Sequence, residues 1–569
     1  MTDYLAMTAA PPGGRAVRFT GLAPQTMAVS NAEPRASAHL DEAHVGDIQG
    51  AFGTIKLTDP DGSTSLWRRV LIFLAIVGPG LIVMVGDNDA GAFGTYTQAG
   101  QMYGTSLLWT LLLLVPVLYV NQEMVLRLGV VTGVGHARLI FERFGRFWGA
   151  FSVIDLFLLN ALTIVTEFIG VSLGLDYLGV PKLWGVLTAA AVTIAAASTG
   201  DFRRFERFMM VLVGGSLLLA PIVIALHPGA GEIARGFFVP GVPTGSKLSE
   251  VMLLIIAIVG TTVAPWQLFF QQSYVIDKRI TPKFIGYEKA DLWIGIAIVV
   301  AGAAAMMAFT SVAFQGTSEF GHFVDAKAIA VGIEHKAGRI MGVLFALALI
   351  DASIIGASAV SLATAYALGD MLSLKHSLHR KVSDAPVFFL VYAGLIAVAA
   401  AIVLTPGAPL GLLTNAVQTL AGVLLPSATV FLLLLCNDKA VLGPWVNGRW
   451  LNLFTSVVIA ALVMLSIILT SSVLYPAMSA GAMLAILGGG AIVTAIGCMA
   501  MFLRKGERID RTGRGTWQMP SLDRLEPSRM SGARRLWMGV LRLYLLVAGG
   551  LVLVRIVQLA LNRPAMGGV

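Results

Sequence analysis

Charged residues are scarce in this sequence, and their scarcity excludes a water-soluble globule. Only 13% of the 569 residues are Asp, Glu, Lys or Arg, which is about half the share found in an ordinary soluble domain. Hydrophobic residues make up 56% of the chain, in continuous runs rather than in the alternating pattern of a membrane β-barrel. Because a membrane-spanning helix needs ~20 apolar residues, the composition predicts an all-α polytopic membrane protein.

Cysteine and histidine are missing from the positions where they could form a catalytic metal centre. The two cysteines, Cys436 and Cys498, lie inside apolar runs, so neither a disulfide framework nor a cysteine-based metal site is indicated. None of the eight histidines lies at a predicted mid-membrane position, and no HExxH motif is present. We therefore predict that the chain is not an enzyme and carries no cofactor.

Thirteen apolar runs predict thirteen candidate helices. The runs lie near residues 70–103, 106–128, 148–179, 183–199, 207–227, 250–275, 290–314, 339–368, 386–405, 411–436, 452–475, 479–503 and 536–561. With a cytoplasmic N-terminus, the tail and the even-numbered loops hold 31 of the 40 Lys and Arg residues, and the outward loops hold six. This imbalance predicts a multi-pass protein of the cell membrane with a cytoplasmic N-terminus. It also explains the net charge of +8, so nucleic-acid binding is not needed to account for that charge.

The runs divide the chain into five predicted parts. These are a disordered cytoplasmic tail (1–66), a core of ten helices (67–436), helices 11 and 12 (437–503), a basic cytoplasmic segment (504–535), and a possible thirteenth helix with the C-terminus (536–569). The tail is polar and rich in Ala, Pro and Gly, which is typical of disorder. The basic segment could lie against anionic lipid or sense the ion inside, although a solvated loop is the simpler interpretation.

Two of the runs are interrupted by glycine, proline and polar residues. The first run contains residues 78–80 and 86–91, and the sixth contains residues 260–267. Backbone groups that are freed in mid-membrane must be satisfied by protein, water or an ion, so broken helices normally line a cavity. Because the breaks lie five helices apart, they predict an inverted five-plus-five repeat with a substrate near the membrane midplane.

The first break contains acidic residues that need a partner. An ionised group inside an apolar helix costs ~2.5 kcal/mol or more, and Asp87 and Asp89 flank Asn88 at this position. Carboxylate, amide and carbonyl oxygens are suitable ligands for a hard divalent cation. The alternative is that one aspartate only caps the half-helix that begins at Ala90.

The second break offers oxygen atoms as well. Pro265 has no backbone N–H, so a carbonyl group near Thr261 loses its helical partner and can accept a ligand. Gln267 adds an amide, and Gln271 lies one turn further along the same face. The alternative for the two glutamines is hydrogen bonding that only holds neighbouring helices together.

These residues resemble the NRAMP family of divalent-metal transporters. The runs GPGLIVMVGDNDAGAFGTYTQAG (78–100), RLGVVTG (127–133) and GTTVAPWQLFFQQS (260–273) carry the resemblance, which covers roughly residues 70–475. In that family, a DPGN motif on the first helix and an MPH motif on the sixth hold the metal. The spacing from GPG to QAG aligns the family's metal-binding aspartate with Asp89. The resemblance implies a LeuT-like inverted five-plus-five repeat with broken helices 1 and 6, plus two to three extra C-terminal helices.

The departures from the family pattern point to magnesium. Ala92 stands at the DPGN asparagine, Ala264 at the MPH methionine and Trp266 at the MPH histidine. Gln271 replaces a second histidine of the sixth helix, and Ile164 replaces an aspartate on the family's proton route. This pattern resembles the NRAMP-related magnesium transporter branch, which implies uptake of Mg²⁺ and Mn²⁺ by alternating access without coupled proton movement. A larger pocket of oxygen ligands suits the hydrated Mg²⁺ ion.

The predicted metal site has Asp89 as its principal ligand, supported by residues from both breaks. The full set is Asp87, Asn88, Asp89, Thr261, Ala264 and Gln267. The metal is the transported substrate, and the other predicted partner is the lipid bilayer. The sequence leaves open the oligomeric state and two other functions: a proton-coupled Mn²⁺ or Fe²⁺ importer of the NRAMP type, and a LeuT-like transporter of a non-metal solute.

Other charged residues in the predicted spans have less specific roles. Glu123 and Arg127 lie four residues apart, which predicts an ion pair on one helix face, with a gating role as the alternative. Asp155, Glu167 and Asp351 could pair, cap a break or line the pathway. Of these three, Glu167 fits the family pattern best.

Overall fold

The computed structural model describes residues 38–56, 65–243, 245–407, 410–475, 478–503, 509–528 and 532–561. Within these ranges the chain forms 21 α-helices and a single two-stranded antiparallel sheet. The predicted all-α class is therefore confirmed, since the sheet is a short hairpin in the N-terminal segment.

The helices follow one another in the order that the apolar runs predict. The first ten are α1 (Leu66–Ile76), α2 (Pro79–Val85), α3 (Ala90–Tyr103), α4 (Leu108–Thr132), α5 (His136–Phe144), α6 (Arg146–Leu178), α7 (Lys182–Ala197), α8 (Phe202–Gly215), α9 (Leu219–Leu226) and α10 (Ala230–Phe238). The others are α11 (Leu248–Thr262), α12 (Pro265–Asp277), α13 (Ile285–Phe314), α14 (Ala326–Ala337), α15 (Arg339–Leu372), α16 (Pro386–Leu404), α17 (Leu410–Cys436), α18 (Lys439–Leu442), α19 (Arg449–Leu474), α20 (Ala480–Leu503) and α21 (Gly532–Leu561).

Each of the thirteen predicted runs coincides with one or more helices, but not every run is a full-length span. Among the described residues, nine helices are long and apolar enough to cross a membrane, and eleven if each of two bent pairs counts as one span. The run at 183–199 forms only α7, which is shorter than the ~20 residues of a typical span. The run at 536–561 lies within α21, whose apolar stretch among the fully described residues is Met538–Gly550. A thirteenth membrane crossing stays a prediction.

The contacts between the core helices are those of an inverted repeat. We number ten core spans along the chain: span 1 (α1–α3), 2 (α4), 3 (α6), 4 (α7), 5 (α8 and α9), 6 (α11 and α12), 7 (α13), 8 (α15), 9 (α16) and 10 (α17). Span 1 contacts span 7, and span 6 contacts span 2 in the same way. Span 3 contacts spans 9 and 10, while span 8 contacts spans 4 and 5. Adding five to each of the numbers 1 to 5 and subtracting five from each of 6 to 10 converts one set of contacts into the other, as a pseudo-two-fold relation between the two halves requires.

The prediction of a structureless tail over residues 1–66 is wrong for residues 38–56. A 3₁₀ turn at Glu42–His44 precedes strands β1 (Ile48–Gly50) and β2 (Gly53–Ile55), which pair with Ile48 opposite Ile55. The hairpin buries Ile48 and Ile55 in an apolar cluster with Ala75 and Ile76 of α1. Tertiary burial therefore orders a segment whose composition indicates disorder. The rest of the predicted tail is outside the described residues, apart from Ser65 and Leu66 at the start of α1.

The basic segment predicted as a solvated loop over 504–535 is mostly exposed in its described part, but it is fixed to the protein at two points. Arg514 donates from Nε to the carbonyl oxygen of Pro444 at 3.2 Å, and its own carbonyl accepts a hydrogen bond of 3.1 Å from the Trp445 indole. The backbone N–H of Ser528 donates to the carbonyl oxygen of Arg143 at 2.8 Å. Residues 504–508 and 529–531 are outside the described ranges.

An ion pair beside the N-terminal segment gives the fold a testable pH dependence. His376 follows α15, and its Nε2 atom lies 3.0 Å from Oδ1 of Asp370. Burial alone would lower the pKa of His376, but the Asp370 carboxylate outweighs burial and raises the pKa to about 9. A raised pKa in the folded state means that the pair stabilises the protein fully below the unfolded pKa near 6.5 and loses this effect as the pH rises through about 9. The shift corresponds to about 3 kcal/mol of folding free energy.

We expect the Asp370→Asn variant to lack this pH dependence. The measurement is thermal unfolding of the purified protein at pH 6.5 and at pH 9.5, compared with the wild type. The wild type should lose more stability than the variant between these two pH values. Equal losses in both proteins would contradict an ionic His376–Asp370 pair.

Candidate metal site

Residues 86–89 form the first break, and they turn the chain between α2 and α3. The N–H groups of Asp87 and Asn88 bond to carbonyl groups only three residues back, at 3.2 and 3.1 Å, so α2 ends in a tightened turn. Asp89 then caps α3, because its Oδ1 accepts a hydrogen bond of 2.9 Å from the N–H of Ala92. The capping role considered from the sequence is therefore real. It uses one of the two carboxylate oxygens of Asp89.

Residues 263 and 264 form the second break, between α11 and α12. Pro265 is the first residue of α12, where a missing N–H costs nothing, but the carbonyl of Thr261 is left without a helical donor. Thr262 donates its hydroxyl to Ile258 at 2.6 Å and also contacts the Tyr96 hydroxyl of α3 at 2.6 Å. The second contact connects the two broken spans directly.

A chain of three polar side chains crosses from span 2 to the first break. Gln122 of α4 donates to Oε1 of Gln267 at 3.1 Å, and Gln267 in turn donates from Nε2 to Oδ1 of Asp87. All three side chains are buried. The carboxylate of Asp87 requires a donor, so the amide nitrogen of Gln267 faces it and the amide oxygen faces Gln122. Gln267 was predicted as a metal ligand. In this structure its oxygen accepts a hydrogen bond from Gln122 and its nitrogen donates to Asp87, and its role as a ligand stays a prediction.

Two buried oxygen atoms at the first break have no hydrogen-bond partner among the described residues. They are Oδ2 of Asp87 and Oδ1 of Asn88, while Nδ2 of Asn88 donates to the carbonyl oxygen of Val299 at 3.2 Å. An unpaired buried polar atom is costly unless water or an ion satisfies it. Both atoms are acceptors, so the missing partner is a cation or a hydrogen-bond donor such as water.

The site contains few charged ligands. Among the residues that the structure describes, no three His, Cys, Asp or Glu side chains come together closely enough to hold a metal ion. The two aspartates of the first break therefore need neutral oxygens or water to complete a coordination shell. Mg²⁺ is usually held in this way, through one or two carboxylates with several of its waters retained.

Glu167 of α6 is a site residue that the sequence prediction left out of the metal-binding set. Its Oε2 accepts a hydrogen bond of 3.1 Å from the N–H of Ala90, the first residue of α3. The Glu167 carboxyl group also lies close to that of Asp89. Gly356 of α15 makes room for it, since a Cβ atom there would lie 2.6 Å from the carboxyl carbon. Two signals in the sequence pointed to Glu167: an isolated acid in an apolar run, which Asp155 and Asp351 share, and a better fit to the family pattern than either of them.

The predicted ion pair on α4 is confirmed, and it belongs to a larger network. Nη2 of Arg127 lies 3.1 Å from Oε2 of Glu123, and Lys289 of α13 lies 2.9 Å from the other oxygen of Glu123. Arg127 also donates to Oδ1 of Asn447 at 2.6 Å. The network therefore connects span 2 with span 7 and with the segment after span 10. A role in gating stays a prediction.

Comparison with known proteins was made for both sequence and structure. The model of the family described as natural resistance-associated macrophage protein-like matches residues 80–472. The chain is 30% identical over 403 residues to the divalent metal cation transporter MntH of Ralstonia nicotianae, covering 68% of this chain and 87% of the relative. It is 26% identical over 426 residues to MntH of Pectobacterium carotovorum, covering 72% of this chain and 96% of the relative.

The fold is also similar to solved structures. The manganese transporter of Eremococcus coleocola superposes with a TM-score of 0.61 over 78% of this chain and 98% of that protein, at 22% identity. A mutant of the same transporter superposes with the same TM-score over 80% of this chain and 99% of that protein, at 20% identity. This similarity confirms the predicted fold class.

Proposed function

This chain belongs to the Nramp family, and from that premise we propose that it carries a divalent metal cation across the cell membrane, with Mg²⁺ as its main substrate and Mn²⁺ as a second one. The ion would bind between the two breaks, and one repeat would move against the other to expose it to each side in turn. We further propose that no proton moves with the metal. The N-terminus would be cytoplasmic, as the distribution of Lys and Arg favours.

Family membership confirms the prediction that the chain is a multi-pass transporter and not an enzyme. It does not decide which divalent ion is carried. The relatives are named as transporters of divalent metal cations, and the structural neighbour as a manganese transporter. The choice of magnesium rests on the residues of this chain.

The observation that carries the magnesium proposal is the chemistry of the two breaks. The free acceptors at the first break are the oxygens of Asp87 and Asn88, and the second break presents Ala264 and the carbonyl of Thr261. Neither break contributes a sulfur atom or an imidazole. Soft transition metals gain from such ligands, whereas Mg²⁺ is bound by oxygen. Loss of the soft ligand therefore lowers the advantage of Mn²⁺ or Fe²⁺ over Mg²⁺.

Uncoupled transport is supported by the lack of titratable groups where the family pattern has them. Ile164 of α6 is a buried apolar residue, and Gln271 of α12 is a buried neutral amide. Trp266 is buried as well, and its indole nitrogen has no hydrogen-bond partner in the part of the chain that the structure describes. None of these three side chains can take up or release a proton at physiological pH.

One observation favours the second candidate, a proton-coupled importer of Mn²⁺ or Fe²⁺. Glu167 lies beside Asp89, and two carboxyl groups at such close range cannot both ionise easily. The pair could therefore release a proton when a metal binds. The two functions differ in whether protons accompany the metal.

Transport into proteoliposomes distinguishes the two candidates. We expect uptake of Mg²⁺ and Mn²⁺ by the purified full chain, followed with ion-sensitive dyes, with no change in a pH dye trapped inside. Protein-free liposomes and vesicles with the Asp89→Ala variant serve as controls for leakage. Acidification that rises with metal uptake would contradict uncoupled transport, and absence of Mg²⁺ uptake would contradict the magnesium assignment.

A further inference from the structure

Residues 38–55 form an ordered segment, here called the strap, on the side of the core where the described N-terminal residues lie. The strap consists of the 3₁₀ turn at Glu42–His44 and the β1–β2 hairpin. It contacts helices from both halves of the inverted repeat, as the following contacts show. A segment that joins both halves restrains any motion of one half against the other.

The hairpin is fixed to the first half through α1 and α8. Gly50 and Gly53 lie directly against Ala75 of α1. A Cβ atom added at Gly50 would be 1.9 Å from the Ala75 carbonyl oxygen, and one added at Gly53 would be 3.0 Å from the Ala75 Cβ. The N–H of Ala51 donates to Oε2 of Glu206 at 2.5 Å. Nε of Arg207 donates to the Ala51 carbonyl oxygen at 2.9 Å. The tip of the hairpin is therefore held between span 1 and span 5.

The beginning of the strap is fixed to the second half. Asp41 accepts hydrogen bonds from the Arg380 guanidinium, the shortest at 2.6 Å, and from the N–H of His376 at 2.8 Å. Both partners lie in the loop between spans 8 and 9. Arg279, which follows span 6, donates from Nε to the Ala43 carbonyl oxygen at 2.9 Å. These bonds include a charged pair with a buried carboxylate, so they are stronger than ordinary surface contacts.

A buried ion pair connects the strap to the bend in span 1. The axes of α1 and α2 differ by 52°, and the bend at Gly78 and Pro79 frees carbonyl groups at the end of α1. Lys278 donates to the carbonyl oxygens of Ile76 and Val77 at 2.6 and 2.9 Å, and to Oε1 of Glu206 at 2.7 Å. Glu206 therefore joins the strap, through Ala51, to the point where span 1 changes direction.

We infer that the strap is a latch that keeps α1 closed against the core and must release before the ion can leave on this side. The site residues Asp87, Asn88 and Asp89 are buried, so an exit requires some element to move. α1 is the first part of the half of span 1 that precedes the first break, and the strap connects it to both halves of the repeat. The inference rests on the proposed transport function, because only a transporter needs this motion.

Hydrogen–deuterium exchange of the full chain in detergent tests the latch. In the Asp41→Ala variant we expect the amides of α1 to exchange at least fivefold faster than in the wild type, although Asp41 makes no hydrogen bond with α1. Loosening one end of the latch would free α1 at the other end. A purely local role for Asp41 would change exchange only near residues 38–47 and 373–381, and that result would overturn the inference.

Asp438→Ala is the matched control. Asp438 forms a largely buried ion pair of 2.6 Å with Arg143 of α5, the same length as the contact between Asp41 and Arg380. Like Asp41, it also accepts a hydrogen bond from a backbone N–H two residues on, but it contacts α5 rather than the loop that holds the strap. The control should leave exchange at α1 unchanged, and faster exchange there would overturn the inference by showing a general loss of stability.

A milder variant covers the case in which Asp41→Ala fails to fold. Asp41→Asn retains an oxygen acceptor and removes the charge, so it should accelerate exchange at α1 by a smaller factor that still exceeds the control. Wild-type exchange in this variant would overturn the latch. The readout does not depend on which ion is carried, so failure of the latch and failure of the magnesium assignment are separate results.

Discussion

Uptake of Mg²⁺ and Mn²⁺ should fall to the level of empty liposomes when Asp89 is replaced by alanine. The carboxylate lies at the first break beside the partnerless oxygens of Asp87 and Asn88, and we expect it to supply the main charge that binds the metal. Removing one partner from a buried charged contact costs ~2–5 kcal/mol, which is about thirtyfold or more in affinity. Isothermal titration of the metal and flux measurements should both show the loss.

The Asp89→Asn variant separates metal binding from helix capping. Asp89 caps α3 in this structure, so Asp89→Ala also removes a helix cap that is worth ~1 kcal/mol. Asparagine is an equally good capping residue, but it lacks the charge. We therefore expect Asp89→Asn to keep the thermal stability of the wild type and still lose metal binding. Full uptake by either variant would mean that Asp89 is not the principal ligand.

The second large effect is expected at Ala264, where methionine should shift the preference toward soft metals. Ala264 precedes Pro265 at the second break, and it is only partly buried while its neighbours Val263 and Pro265 are buried. A longer side chain therefore has space there. A thioether contributes to the binding of Mn²⁺ or Cd²⁺ and little to that of Mg²⁺. We expect the ratio of Mn²⁺ to Mg²⁺ uptake to rise about tenfold, equivalent to about 1.4 kcal/mol.

Ala264→Leu is the control for size. Leucine has a similar volume and no sulfur, so it should reduce uptake of all divalent ions without changing their ratio. Competition by Cd²⁺ against Mg²⁺ uptake measures the same preference in a second way. If methionine and leucine changed the ratio equally, the soft-ligand explanation of selectivity would be wrong.

The helices and their breaks could be predicted from the sequence because their causes are local. Continuous apolar residues favour a helix in the membrane, and Pro79, Pro265 and the glycine at 86 stop it. The strap could not be predicted, since residues 38–55 mix apolar, polar and glycine residues with little helical or strand periodicity. Its order comes from partners far along the chain, such as Glu206 and Arg380.

The candidate site, too, could be predicted from the sequence only in part. The sequence alone indicated Asp87, Asn88 and Asp89 as unusual residues in an apolar run, and the structure places all three at the first break. The sequence could not indicate that Gln122 fixes the orientation of Gln267 or that Glu167 reaches Ala90 and Asp89. Those contacts depend on how spans 2, 3 and 6 meet.

By itself, the sequence determined the class of the protein, the positions of its broken helices and the oxygen chemistry of the residues there. Each of these follows from the type and order of neighbouring residues. Only the tertiary structure decided which polar groups satisfy one another: Gln267 meets Asp87 across 180 positions, and Glu167 meets Ala90 across 77. In a membrane interior, a buried polar group must find its partner inside the protein, and the packing of distant helices selects that partner.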